Sequence, residues 1–237
     1  MRAAVFPLLM LLTGCVAATP LPKRVIDLTR TMKPDKANKF EPVLFEHPIY
    51  LAMSNITFFN HAGTHYDPPN HIIRNAMGAD IAPLDSFIGP ARVLDFRTKP
   101  REAALGRADF EGRGIRPGDV VIALVGCPKG APSHCPYLGG DAARYLASIP
   151  IRAFATDNWT TGNGATFKRF FEKGGEDSTT EAFLPEHHAF LSRGIPNFEG
   201  LTNIESLLGE KNAVFVAFPI KLENGNGAPV RAAALIY

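Results

Sequence analysis

Residues 61 to 71 read His-Ala-Gly-Thr-His-Tyr-Asp-Pro-Pro-Asn-His, three imidazoles and one carboxylate within eleven positions. Pro68 and Pro69 forbid a continuing helix, and Pro68 also pushes Asp67 toward extended backbone, so the spacing predicts a strand end that runs into a loop. In an extended stretch His61, His65 and Asp67 share parity and face one way. His71 shares that parity but lies beyond two prolines, which leaves its direction open. Gly63 allows a turn tight enough for neighbours this close to converge. Imidazole and carboxylate together suit zinc, manganese or iron. The plainer alternative is a polar surface loop, but histidines seldom cluster this way without a metal or proton-transfer role.

The 237 residues suffice for one well-cored domain and would crowd two. A formal charge of +2, with no run of Lys or Arg, gives no support to a nucleic-acid partner and leaves a small neutral or anionic ligand as the expected one. The first residues are set apart from the fold. Arg2 is a minimal basic start, Ala3 to Leu12 is an apolar run far short of the ~20 residues that span a bilayer, and Leu12-Thr-Gly-Cys15 follows at once. That ending resembles a bacterial lipobox. It implies a signal peptide over residues 1–14, a lipid on Cys15, and a tether over residues 15–24 that holds the chain to the cell envelope without crossing the membrane. The alternative is a buried N-terminal strand or helix that happens to end in Gly-Cys. With Cys15 lipidated, Cys127 and Cys135 remain as an even pair, which suits a disulfide in an oxidising compartment. A metal site through His134 is the rival reading, and it lacks a fourth ligand nearby.

The eleven-residue stretch resembles, position for position, the His-x-Gly-Thr-His-x-Asp-x-Pro-x-His signature of the cyclase family of metal-dependent hydrolases, which includes bacterial kynurenine formamidases and isatin hydrolases. The likeness runs from about Val25 to the C-terminus and takes in Ala217-Phe-Pro-Ile-Lys-Leu and Ala228-Pro-Val-Arg-Ala. It implies a single α/β domain over residues 25–237, a three-layer β/β/α arrangement with mixed sheets, assembled as a homodimer or larger homo-oligomer. It also implies that His187 and Glu199 complete a metal centre with His61, His65 and Asp67, and that His71 is the general acid/base. His188 is a rival for His187. Twelve residues of unbroken helix would part His187 from Glu199 by ~18 Å, and Gly194 and Pro196 break any such helix.

Elsewhere the pattern predicts strands at Val25–Thr29, Ile56–Asn60, Ala91–Phe96, Val120–Val125, Ala153–Thr156, Ala213–Pro219 and Val230–Tyr237, and a helix at Asp141–Ser148 ended by Pro150. Phe40–Tyr50 is expected to be irregular because of Pro42 and Pro48, and residues 160–180 give at best one short helix, Phe167–Glu172. Phe58 and Phe59 are expected on opposite faces, one in the core and one lining a pocket. Trp159 either stacks on an aromatic ligand or packs in the core.

The chemistry these readings imply is hydrolysis of an amide by water activated on a divalent ion, zinc first and manganese as the alternative, with one or two ions and Asp67 able to bridge. His71 would move the proton, as an imidazole titrating near pH 7. The substrate expected is a small N-formyl aromatic amine such as N-formylkynurenine. A cyclic amide such as isatin is the alternative, and a tethered, non-catalytic metal- or solute-binding lipoprotein is a third reading. Loss of His71 would mark that third class, and His71 is present.

Overall fold

The computed structural model describes residues 20–45, 50–127, 134–166, 168 and 180–237. The signal segment with Cys15, and all of the expected Phe167–Glu172 helix except Lys168, lie outside them. In chain order the elements are β1 (Arg24–Asp27), β2 (Lys39–Phe45), β3 (Leu51–Thr57), β4 (His65–Asp67), β5 (Ile88–Asp95), β6 (Ala104–Leu105), α1 (Arg107–Phe110), β7 (Val120–Leu124), β8 (Tyr137–Leu138), α2 (Gly140–Ser148), β9 (Ala153–Thr156), α3 (Thr180–Phe183), α4 (Pro185–Leu191), β10 (Asn197–Glu199), β11 (Ala213–Pro219) and β12 (Ala228–Ile236). Among the described residues no helix is long and apolar enough to cross a membrane.

β7 anchors the sheet. Its Val-Val-Ile-Ala-Leu run is buried on both faces and lies parallel to β5 on one side and β9 on the other, the setting in which a strand reads as continuously apolar. Val120, Ile122 and Leu124 point into one core, and Val121 and Ala123 into another. The strand order β1-β12-β11-β5-β7-β9-β10-β4 carries one further pairing, β12 to β4, so the last seven of these strands close into a ring. This is the mixed sheet of a single α/β domain. β4 closes the sheet by pairing with both β10 and β12.

The first core fills the ring. Tyr66, Phe87, Phe198 and Phe215 are buried there, with Tyr66 and Phe87 centred 5.0 Å apart and Phe198 and Phe215 5.3 Å apart. Truncating the central one, Phe198→Ala, is expected to cost about 3–5 kcal/mol by removing a fully buried aromatic and leaving a cavity. Urea denaturation of the folded variant checks this, and a loss below about 1 kcal/mol would mean that the site above does not rest on this cluster. The second core lies outside the ring, where Ala142, Ala143 and Leu146 of α2 and Ala189 and Phe190 of α4 cover β7 and β9.

Two expectations are corrected. The described part of the Phe40–Tyr50 segment up to Phe45 is regular strand, with β2 paired antiparallel to β3 and Pro42 opposite Ser54. A two-stranded ribbon has only edge strands, and there a proline costs no ladder bond when its nitrogen faces outward. The strand expected over Ile56–Asn60 ends at Thr57, and neither phenylalanine beyond it is in the core: Phe58 is half-buried and Phe59 is exposed.

Cys127 and Cys135 form a disulfide with their Cα atoms 5.1 Å apart, and His134 pairs with Glu102, so the cysteine-histidine metal alternative is not realised. The Asp157 carboxylate gathers the backbone N–H groups of Val125, Gly126 and Cys127 at 2.7, 2.9 and 3.3 Å and fixes the chain leading into the disulfide. Burial raises the Asp157 pKa, against the pull of these donors.

Candidate metal centre

β4 is three residues long, yet every one of them is buried. Period-two geometry sends His65 and Asp67 to one side and Tyr66 to the aromatic core on the other. His61 is not part of the strand. It returns to Asp67 through a turn in which Gly63 has φ +66°, a conformation costly for any residue with a Cβ. Gly227 lies so close to the His61 ring that a side chain there would collide with it. After Asp67, Pro68 is extended, and Pro69 begins a single 3-10 turn that carries His71 back over the site.

The other half comes from α4 and β10. Pro185 occupies the first turn of α4, and Gly194 at φ +67° stops the chain after it, so the segment folds back into β10. His187 lies on the buried face of α4. His188, one position on, is only half-buried and takes no part in the cluster. β10 pairs with β4 in a register that sets Glu199 opposite His65 and Asn197 opposite Asp67.

The structure therefore brings together all six residues singled out in the sequence. His61 Nδ1 lies 2.9 Å and His65 Nε2 3.3 Å from Asp67 Oδ1, and His65 Nε2 lies 3.5 Å from Glu199 Oε2. His187 Nε2 is 3.5 Å from Asp67 Oδ2 and 3.2 Å from Glu199 Oε1. The His71 ring is centred 4.4 Å from that of His61 and 5.7 Å from that of His187. Two groups could each converge on one ion: His61 with Asp67 and His71, and His65 with Asp67 and Glu199, their ligand atoms within 4.8 Å of one another. Among the described residues Asp67 Oδ1 is buried without an aligned hydrogen bond, although two imidazole nitrogens stand near it. An orphaned anionic oxygen ringed by nitrogen ligands fits a divalent cation.

Sequence reasoning assigned no role to Asn197, Thr161, Glu186 or Thr64. Glu186 Oε1 lies 3.1 Å from His187 Nδ1, the carboxylate partner that commonly orients a ligating imidazole. The Thr64 hydroxyl donates to Gly200 O at 2.7 Å and accepts from Arg30 N at 2.8 Å, which ties the motif to the end of β10. The neighbour position of Glu186, and the alternation that puts Asn197 on the face of Glu199, were the available signals.

Charge is shared within the cluster. Burial disfavours the His65 imidazolium, but the adjacent Asp67 and Glu199 carboxylates outweigh it and raise the pKa to about 10. His187 is likewise raised well above the usual range, burial being outweighed by Asp67, Glu186 and Glu199. Glu199 falls to about 2 despite its burial and the nearby Asp67 charge, because His187 and His65 hold its ionised form, and Asp67 lies well below the usual range for the same kind of reason. His71 differs. Burial lowers it to about 4, so the ring is neutral at pH 7 and the titration near pH 7 expected from the sequence is displaced.

A pH prediction follows from these signs. Without an ion, the raised His65 contributes stability in full below its ordinary pKa of 6.5 and loses it as the pH climbs through about 10. An ion taken by the same nitrogens must displace protons, so metal uptake at pH 7.5 is expected to release about one to two protons per ion. Calorimetry in buffers of differing ionisation enthalpy reads that number, and uptake with no proton release would contradict the charge assignment.

Residues 26–163 match the family described as "Putative cyclase". The chain is 30% identical over 194 residues to the kynurenine formamidase of Salinibacter ruber, covering 76% of this chain and 78% of that one. Its fold is similar to that of isatin hydrolase A from Labrenzia aggregata, with a TM-score of 0.72, 24% identity, and coverage of 90% of this chain and 93% of the other. It is also similar to a protein from Bacillus stearothermophilus described as a predicted metal-dependent hydrolase, with a TM-score of 0.62, 24% identity and coverage of 89% and 97%.

Proposed function

The chain belongs to the cyclase family, and from that premise we propose that it is a metal-dependent amide hydrolase of the arylformamidase type, acting on N-formylkynurenine or a related N-formyl aromatic amine. The observation that carries this reading is the buried convergence of His61, His65, Asp67 and Glu199 around the orphaned Asp67 Oδ1, with the neutral ring of His71 beside it. His61, His65, Asp67, His187 and Glu199 are the residues that would hold a divalent ion, zinc or manganese. Such an ion, when bound, polarises a carbonyl oxygen and brings the pKa of water toward neutrality.

The chain's own residues do the rest. His71 is unprotonated at neutral pH and adjoins the ligand set, so it can accept the proton of the attacking water at a ring nitrogen and pass it to the departing amine. Glu186 holds the His187 ring through Nδ1 and leaves Nε2 to the carboxylates. Phe59, its ring 5.7 Å from that of His61, borders the site and suits an aromatic substrate.

A second reading, opening of a cyclic amide, is favoured by the fold likeness to isatin hydrolase A. A panel of N-formylkynurenine, isatin and simple lactams separates the two, since the formamidase reading expects the formamide to be hydrolysed with the highest kcat/KM. Isatin as the best substrate would replace it. No turnover of any of them by metal-loaded protein would favour the non-catalytic binding protein.

Residues 1–24 support an envelope location through the lipobox-like Leu12-Thr-Gly-Cys15, and a disulfide suits that compartment. Self-association is supported by the β2–β3 hairpin, a two-stranded ribbon whose Leu51, Met53 and Ile56 side chains are exposed.

A further inference from the structure

Asn197 has no solvent exposure and sits on β10 two residues before Glu199, opposite Asp67 on β4. A buried primary amide costs free energy unless its donors and acceptor are met, and here they are met in a particular way. Nδ2 donates to Asp67 Oδ2 at 2.9 Å and to Glu199 Oε1 at 3.0 Å, while Oδ1 accepts from the Thr161 hydroxyl at 2.8 Å. The orientation is forced, because ionised carboxylates only accept and so the amide nitrogen must face both. Thr161 N donates a further bond to Glu199 Oε1 at 2.6 Å.

The consequence is an unequal use of the four carboxylate oxygens. Among the described residues, Glu199 Oε1 is engaged by two amide N–H donors and Asp67 Oδ2 by one, and His187 Nε2 stands 3.2 Å and 3.5 Å from these same two oxygens. Asp67 Oδ1 has no aligned donor among the described residues, and Glu199 Oε2 faces His65 at 3.5 Å. Two buried carboxylates this close would repel each other, and a single amide donating to both lowers that cost and fixes the angle of each.

Resting on the metal-centre reading, we propose that Asn197, locked by Thr161, is a positioning residue: it occupies Asp67 Oδ2 and Glu199 Oε1 so that Asp67 Oδ1 and Glu199 Oε2 are the oxygens presented to the divalent ion.

The test is the dissociation constant of zinc, measured by competition with a chromophoric chelator on metal-free full-length protein. Asn197→Leu keeps the approximate volume and removes both donors, and is expected to weaken zinc binding about 10- to 100-fold, the usual effect of removing an outer partner of a ligand. Thr161→Val keeps the shape, frees the amide to rotate, and is expected to weaken binding about 3- to 10-fold, whereas Thr161→Ser retains the hydroxyl and should restore most of it. A role confined to folding would lower the melting temperature of the metal-free protein and leave the zinc constant alone. Wild-type affinity in folded Asn197→Leu would overturn the proposal. If that variant fails to fold, equal affinities for Thr161→Val and Thr161→Ser overturn it instead. Failure of wild type to bind zinc or manganese overturns the metal-centre reading together with this one, whereas tight wild-type binding with unaltered variants removes only the role of Asn197.

Discussion

Asp67→Ala is expected to strip the purified protein of stoichiometric divalent metal. Three imidazoles, those of His61, His65 and His187, stand within 3.5 Å of this one carboxylate, and Asp67 is common to both groups of potential ligands. Removing it takes away the shared carboxylate and part of the charge that offsets the burial of those rings, so the first group loses its only carboxylate and the second keeps Glu199 alone. Metal content should fall below about one tenth of wild type, and His65→Ala should act in the same direction. Glu199→Ala should lose less if two ions are held, because His61, His65 and Asp67 remain for the first. Elemental analysis of folded, size-fractionated protein reads the outcome. Full metal in both Asp67→Ala and His65→Ala would remove the site as drawn.

His71→Ala is expected to separate binding from turnover. Its ring adjoins those of His61 and His187, and burial keeps it neutral down to about pH 4, so at neutral pH it is a base in waiting and not a fixed charge. Loss of a positioned general acid/base costs about 10²- to 10⁴-fold in rate. The variant should therefore keep near wild-type metal content while kcat falls by that factor. The acid limb of the rate profile that reports this imidazole should lie below neutrality in wild type and be missing from the variant. Loss of the ion in His71→Ala would make the residue a ligand, which its place beside His61 and Asp67 also permits geometrically. Unchanged turnover would take it out of the chemistry.

The site was legible in the sequence to the extent that its residues are close in the chain or carry ligand chemistry. His61, His65, Asp67 and His71 sit within eleven positions, whereas His187 and Glu199 were implied by the family resemblance, and the helix break at Gly194 and Pro196 let them reach one place. Asn197 and Thr161 were not legible, because an amide and a hydroxyl have no ligand signature and acquire meaning only from the β4–β10 register. The apolar strands β7, β9 and β11 were read almost to their ends, since continuous apolar runs bounded by turns leave little choice. Closure of the ring was hidden because it depends on β4, whose three residues are too few to show an alternation. The β2–β3 hairpin was missed for the opposite reason. Pro42 argues against a central strand, and nothing local announced that this ribbon has no central strand to disturb.

The central claim is that the buried histidine-carboxylate cluster makes this chain a metal-dependent amide hydrolase. Its most direct test is the rate of N-formylkynurenine hydrolysis by one preparation before chelation, after chelation, and after stoichiometric return of zinc or manganese, with Asp67→Ala carried through the same steps. Turnover that disappears with the ion, returns with it in wild type and never appears in Asp67→Ala is the predicted result. Turnover that survives complete removal of metal, or that Asp67→Ala retains, would contradict it.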